Sequence, residues 1–197
     1  MSRSLLWPGL AGAAVLVVLA SGLVERRLTA AGELSNSAQI GGAFALTDGD
    51  GKPVTSQTFP GNWRLIYFGY THCPDACPTT LSKLGAALDK LPAPARSKIR
   101  VLFITVDPAR DTPKVMGDYA KAFGPEFVGL TGSAANLATV DAEFHVYAKR
   151  HDLAGGDYAM DHSSIIYVMA PDGSFSGLLD DSMSPDELAR RLGVLGA

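Results

Sequence analysis

Cys73 and Cys77 are the only cysteines of the chain, and they sit together in Cys73-Pro74-Asp75-Ala76-Cys77-Pro78. A separation of four residues brings two sulfurs to one side of a helical turn, within reach of a single ion or of each other as a disulfide. A disulfide kept for stability alone would close a loop of only five residues, worth about 2 kcal/mol in the chain-entropy treatment. A redox-active dithiol or a metal site makes fuller use of the pair. A helix beginning near Pro78 would favour thiolate, the form that attacks disulfides and binds metals, because a helix N-terminus carries partial positive charge. Two sulfurs rarely complete a tight transition-metal site, so a third ligand is sought among His72, His145, His151 and His162. His72 adjoins Cys73 and should point away from it along an extended segment. His145 closes a predicted helix and His151 falls in a polar loop, and both read as surface residues. His162, in Asp161-His162-Ser163-Ser164 just ahead of an apolar run, differs from the other three.

The elements that must position these residues belong to an ordinary globular domain. The chain has 197 residues, a formal net charge of -3 and 47% apolar residues, a composition that excludes disordered and fibrous classes. No Lys/Arg run exceeds the pair Arg26-Arg27, so the electrostatic footprint of a DNA- or RNA-binding protein is missing. A domain of this size buries enough surface to fold without disulfide staples, which leaves the cysteines free for chemistry.

Arg64–Tyr70 and Arg100–Val106 are compact apolar runs rich in β-formers, as expected of strands covered on both faces. Between them, Pro78–Leu91 carries Leu81, Leu84, Leu88 and Leu91 at helical spacing, and strand-helix-strand implies a right-handed parallel crossover. Before the first run, Phe44–Leu46, the turn Asp48-Gly49-Asp50-Gly51 and Val54 predict a short hairpin. After the second, Thr112-Pro113 opens a helix that runs to Phe123. A short strand at Phe127–Leu130 and a helix over Ser133–Phe144 follow. Ile165–Met169 and Phe175–Leu179 form a second hairpin, and a capping box at Ser184 opens a terminal helix ending at Gly193. That order matches an α/β, thioredoxin-like plan with an added N-terminal β-hairpin. Open sheets of this kind gather ligands beyond the carboxyl ends of their central strands, which is where Cys73 and Cys77 fall. The residue leading into Ile165–Met169 faces the same loop, and here it is His162. Two thiolates and an imidazole suit copper, monovalent in trigonal form or divalent with one more ligand. Zinc with a water would also accept the set, whereas iron-sulfur clusters ask for four protein ligands.

Leu5–Val24 is a run of 20 residues without a charge, long enough as a helix to cross the ~30 Å hydrocarbon layer. It predicts a single transmembrane helix or a signal peptide over 1–24, with 25–39 as a linker and 40–197 as the folded domain. Either reading exports the domain. The segment lacks the Arg- and Ser-rich amphipathic character of a transit peptide, so the expected location is a bacterial inner membrane with the domain in the periplasm. A lone cysteine pair in an oxidising compartment also keeps redox chemistry in view.

Tyr67-Phe68-Gly69-Tyr70-Thr71-His72-Cys73-Pro74-Asp75-Ala76-Cys77-Pro78-Thr79-Thr80-Leu81 resembles the signature of the Sco/SenC copper proteins. Thr105-Val106-Asp107-Pro108-Ala109-Arg110-Asp111-Thr112-Pro113 is similar to that family's second motif, and Asp161-His162-Ser163 to its third, so the resemblance runs from about Gly41 to Leu192. Departures at Ala76 and Ala170 touch no candidate ligand. The resemblance implies a membrane-anchored copper chaperone rather than an enzyme, binding copper through Cys73, Cys77 and His162. It further implies a role in maturing the dinuclear copper centre of cytochrome c oxidase. The implied partners are the oxidase subunit that carries that centre, a separate copper donor and the inner membrane, with no nucleic acid. The alternative from a different class is a metal-free thiol-disulfide oxidoreductase using Cys73 and Cys77 as its redox pair. Asp107, Arg110 and Asp111 read as a loop held by an ion pair, or as a polar surface beside the metal.

Overall fold

A computed structural model describes residues 40–195. The predicted membrane segment at 5–24 and linker at 25–39 lie outside the described residues. Among those that are described, no helix is long and apolar enough to cross a membrane.

Seven strands form one sheet in the order β2 (Pro53–Thr55), β1 (Ala45–Asp48), β5 (Phe127–Thr131), β4 (Ile99–Thr105), β3 (Trp63–Gly69), β8 (Ile165–Met169) and β9 (Phe175–Asp180). Its centre is β3 (Trp63–Gly69) and β4 (Ile99–Thr105), paired in parallel and almost wholly buried. Such burial follows from their unbroken apolar runs, since a strand covered on both faces has no need to alternate. The predicted N-terminal hairpin is present as β1 (Ala45–Asp48) and β2 (Pro53–Thr55). It pairs antiparallel with β5 (Phe127–Thr131), whose other neighbour is β4. On the far side, β8 (Ile165–Met169) runs antiparallel to β3, and β9 (Phe175–Asp180) forms the edge.

Side-chain alternation assigns the helices to faces. Tyr67 and Gly69 of β3 point to one side, toward Phe103, Cys77 of α1 (Ala76–Leu88) and, through Phe103, Tyr119 of α3 (Pro113–Lys121). Phe68 points to the other side and meets Phe144, the residue that ends α4 (Ala134–Glu143). The leucine stripe read from sequence is the buried face of α1, with Leu81, Leu84 and Leu88 fully covered. The terminal helix α5 (Pro185–Leu195) lies against α1.

Three departures from the sequence reading concern local elements. A single turn, α2 (Ala93–Arg96), precedes β4. The terminal helix does not stop at Gly193 but continues to Leu195, because Leu192 and Leu195 remain packed on the core and hold the last turn in place. The segment expected to be loop before β8 is a two-stranded antiparallel sheet, β6 (Ala148–Asp152) and β7 (Tyr158–His162). All five residues of β6 are exposed, so no apolar alternation announces the strand.

Candidate metal centre

The site is built where β3 ends and α1 begins. Gly69 terminates the strand, Tyr70 to Asp75 form a turn in which the Cys73 N–H donates to the Tyr70 carbonyl at 3.3 Å, and α1 starts at Ala76. Cys77 therefore occupies the first helical turn while Cys73 precedes it, so the pair straddles the helix start instead of sharing one turn. The Cys77 N–H donates to Cys73 Sγ at 3.4 Å, which aims a helix N-terminal amide at that sulfur. Both thiols are free; Cys73 is half-buried and Cys77 fully buried.

Gly69 has a steric reason for being glycine. A Cβ there would lie 2.6 Å from Cys77 Sγ and 2.8 Å from the Phe103 ring, closer than packed atoms can approach. The missing side chain is the space that Cys77 fills.

The third ligand arrives on a different element. In the antiparallel register of β3 with β8, Tyr67 faces Ile166. Carried past the end of β8, that register sets His162 level with the loop before Cys73. His162 closes β7, and its Nε2 lies 3.3 Å from Cys77 Sγ. Its Nδ1 is 3.2 Å from the Ser163 carbonyl. A carbonyl can only accept, so Nδ1 carries the proton and Nε2 offers its lone pair to the sulfur side. Two tyrosine rings meet the imidazole edge-on, Tyr67 with centroids 6.1 Å apart and Tyr70 at 5.9 Å. Burial among them lowers the imidazole pKa, which keeps His162 neutral and available as a ligand.

The same burial pushes the Cys77 thiol well above its ordinary pKa, with the nearby Cys73 adding to the rise. This corrects the expectation that the helix start would favour thiolate at both positions. For Cys77, loss of solvent around the sulfur outweighs the amides, and the residue is a buried neutral thiol donating toward His162.

One Sγ from each cysteine and one nitrogen of His162 lie within 4.8 Å of one another. With Cys77 Sγ and His162 Nε2 only 3.3 Å apart, an ion equidistant from the three atoms sits at most about 2.6 Å from each, against roughly 2.0–2.3 Å for metal–nitrogen and metal–sulfur bonds in a tetrahedral zinc site. A contraction of about half an ångström closes the difference. Among the described residues no carboxylate joins this group, so the donor set is two sulfurs and an imidazole, the soft-to-borderline combination that favours copper or zinc over calcium or magnesium.

The remaining histidines lie elsewhere. His72 is exposed, with Nδ1 3.2 Å from the Thr71 hydroxyl. His145 takes a left-handed backbone conformation at φ 52° just after α4, a capping position. His151 is exposed on β6 and contacts Asp161 across the hairpin. Asp107, Arg110 and Asp111 are not among the candidate ligands. The buried Asp111 accepts hydrogen bonds from the Thr71 N–H and hydroxyl and from the Thr105 hydroxyl. Sequence reasoning did not single out Tyr67, Gly69 or Tyr158. The signals were present in strand alternation: a glycine facing the same way as Tyr67, and Tyr158, Met160 and His162 at every second position of β7.

A family model described as SCO1/SenC matches residues 32–195. Protein sco1 of Schizosaccharomyces pombe is 42% identical over 158 residues, covering 79% of this chain and 60% of its own. The Arabidopsis thaliana protein SCO1 homolog 1, mitochondrial, is 42% identical over 144 residues, covering 73% of this chain and 43% of its own. The chain thus spans about half the length of the curated relatives it matches. Among solved structures, Bradyrhizobium japonicum ScoI with copper bound superposes with a TM-score of 0.73 at 43% identity, covering 79% of this chain and 99% of that one. Arabidopsis thaliana ScoI with copper bound gives 0.73 at 37%, covering 79% and 97%. Fold and thioredoxin-like plan agree with these structures, and by a match that takes in all of the described residues the chain belongs to the SCO1/SenC family.

Proposed function

We propose that this chain is a copper chaperone that holds one copper ion between Cys73, Cys77 and His162 and passes it to the copper-bearing subunit of cytochrome c oxidase. The observation that carries the reading is the 3.3 Å approach of Cys77 Sγ to His162 Nε2, two residues 85 apart in sequence. Copper-bound relatives with the same fold add support. A more distant structure, BsSco, is described as a member of the Sco family of cytochrome c oxidase assembly proteins. Incoming cysteines of a client would displace the ligands by exchange, and a second protein would supply the metal. Leu5–Val24 anchors the chain in a bacterial inner membrane as a single span, with 25–39 as tether and 40–197 in the periplasm. What supports this location is the uncharged run of 20 residues and its unlikeness to a transit peptide.

The test is copper loading of the full-length reduced protein in detergent, followed by absorption spectroscopy and metal analysis. One copper per chain is expected, with a sulfur-to-copper charge-transfer band lost in both Cys73→Ser and Cys77→Ser. His162→Ala should weaken divalent copper most. Failure of the reduced protein to take up either copper ion, or unaltered binding of both by His162→Ala, overturns the reading.

The unequal exposure of the two thiols favours a second reading, a thiol-disulfide oxidoreductase in which Cys73 attacks and Cys77 resolves. Metal-free reduction of insulin that is lost in both serine variants, with oxidase assembly unimpaired in a deletion strain, would establish it instead.

A further inference from the structure

The copper reading gives no role to the charged and aromatic side chains on the far half of the β6–β7 hairpin. There Arg110, from the loop after β4, lays its guanidinium on the Tyr158 ring at 3.7 Å from the centroid. It donates to the Tyr158 carbonyl at 3.0 Å, pairs with Asp107, and reaches Asp157 at 3.3 Å. The Tyr158 hydroxyl donates to Asp107 at 2.8 Å. Arg150 also lies 3.7 Å from the Tyr158 centroid, and two guanidinium carbons at that distance must cover opposite faces of one ring. Stacking, a charged pair and two hydrogen bonds thus converge on a single tyrosine. Asp107 is itself buried and its N–H donates to the Thr105 hydroxyl, so the loop end of this cluster is fixed to the sheet.

Tyr158, Met160 and His162 alternate along β7 and share its inward face. Tyr158 stands four residues from His162, about 13 Å along the strand. The hairpin meets the body at its base, next to His162, and through Met160, which packs on the core, while the S–H···N contact to Cys77 is a weak tie. A clamp about 13 Å out along the strand, beyond Met160, therefore fixes the outer end of the lever that carries the imidazole toward the sulfurs. The same loop that carries Arg110 also carries Asp111, which fixes Thr71 two residues before Cys73. One short segment thus registers the sulfur arm and the histidine arm against each other.

Resting on the copper reading above, we propose that Asp107, Arg110 and Tyr158 form a latch that positions His162 on the ion. With the latch closed the site has three ligands; with it open the ion stays on the two sulfurs alone. Monovalent copper, though it accepts a third ligand, is held tightly by two thiolates alone when the imidazole withdraws, whereas divalent copper depends on the imidazole. The latch therefore sets the preference of the site for one oxidation state over the other. Arg110 and Tyr158 are positioning residues and touch no metal.

The experiment measures affinities for both copper ions by competition with chromophoric chelators, using the full-length reduced protein in detergent. Arg110→Ala and Tyr158→Phe are each made alone and together with His162→Ala. Arg110→Ala should lower divalent-copper affinity by about 10- to 100-fold, the cost typical of removing an outer-shell partner. Tyr158→Phe, which keeps the ring and loses only the hydroxyl, should lower it several-fold. Monovalent-copper affinity should stay within about threefold in both, and neither change should matter once His162 is alanine. Divalent affinity unaltered in both variants, a parallel loss for both ions, or a loss that persists without His162 overturns the latch. If Arg110→Ala does not fold, Tyr158→Phe decides the question by the same criteria. A parent protein that takes up neither ion defeats the copper reading itself, an outcome distinct from a parent that binds copper and latch variants that bind it equally well.

Discussion

Cys77 and His162 meet as two neutral groups, each made so by burial: the thiol pKa is raised and the imidazole pKa lowered. Copper loading consequently has an order of events built into it. The imidazole needs no deprotonation at neutral pH, but the Cys77 proton must leave before its sulfur can bind, so uptake releases at least one proton per ion. Because the raised thiol pKa keeps Cys77 protonated through the whole neutral range, the apparent affinity should rise about tenfold per pH unit for that proton between about pH 6.5 and 8. Competition titrations at several pH values test this. An affinity flat with pH would mean that Cys77 is already thiolate and that burial does not govern it.

The junction between β3 and α1 carries the sulfurs, and its tightest point is Gly69 beneath Cys77. Gly69→Ala forces a methyl into the space of Cys77 Sγ and the Phe103 ring, and both neighbours are fully buried. Overpacking of this kind costs about 1–3 kcal/mol, to be read from urea unfolding of the metal-free protein. A loss below about half a kcal/mol would show that the junction relaxes freely. This junction was largely legible in the sequence, because the apolar runs of β3 and β4 and the leucine stripe of α1 are periodic signals backed by burial. The β6–β7 hairpin was not. Lys149, Arg150, His151 and Asp152 face solvent, and the strand is held by cross-hairpin pairing and by Arg110 on Tyr158, contacts between segments 48 residues apart that no local pattern encodes. Gly193 read as a stop for a similar reason. Its tendency to end a helix is a local preference, and it yields to the packing of Leu192 and Leu195 on either side.

At the scale of the whole molecule, the sheet separates two kinds of burial. The face of Tyr67 and Gly69 carries α1 and the candidate ligands, while the face of Phe68 carries α4, whose end packs Phe144 against Phe68 and Tyr167. That opposite face holds a second perturbed acid, Asp141 on α4. Its Oδ1 is buried without a hydrogen-bond partner, and desolvation raises its pKa to about 6. Since the folded value lies above the unfolded one, near about 3.9, the folded state binds this proton more tightly. The resulting contribution to stability is fully present below about pH 4 and is lost as pH climbs through 6, leaving a half-buried carboxylate that strains the fold at neutral pH. A tenfold difference in proton affinity between the folded and unfolded states is worth about 1.4 kcal/mol, and water reaching the half-buried group screens part of it. Asp141→Asn should therefore stabilise the protein by about 1–2 kcal/mol at pH 7.5 and by almost nothing at pH 4, measured by urea unfolding at both values. Because the substitution acts across the sheet from Cys77 and His162, both copper affinities should stay as they are. Equal stabilisation at the two pH values would trace the gain to helix propensity or packing instead of the buried charge, and a copper affinity that moved with it would mean that the two faces of the sheet are coupled.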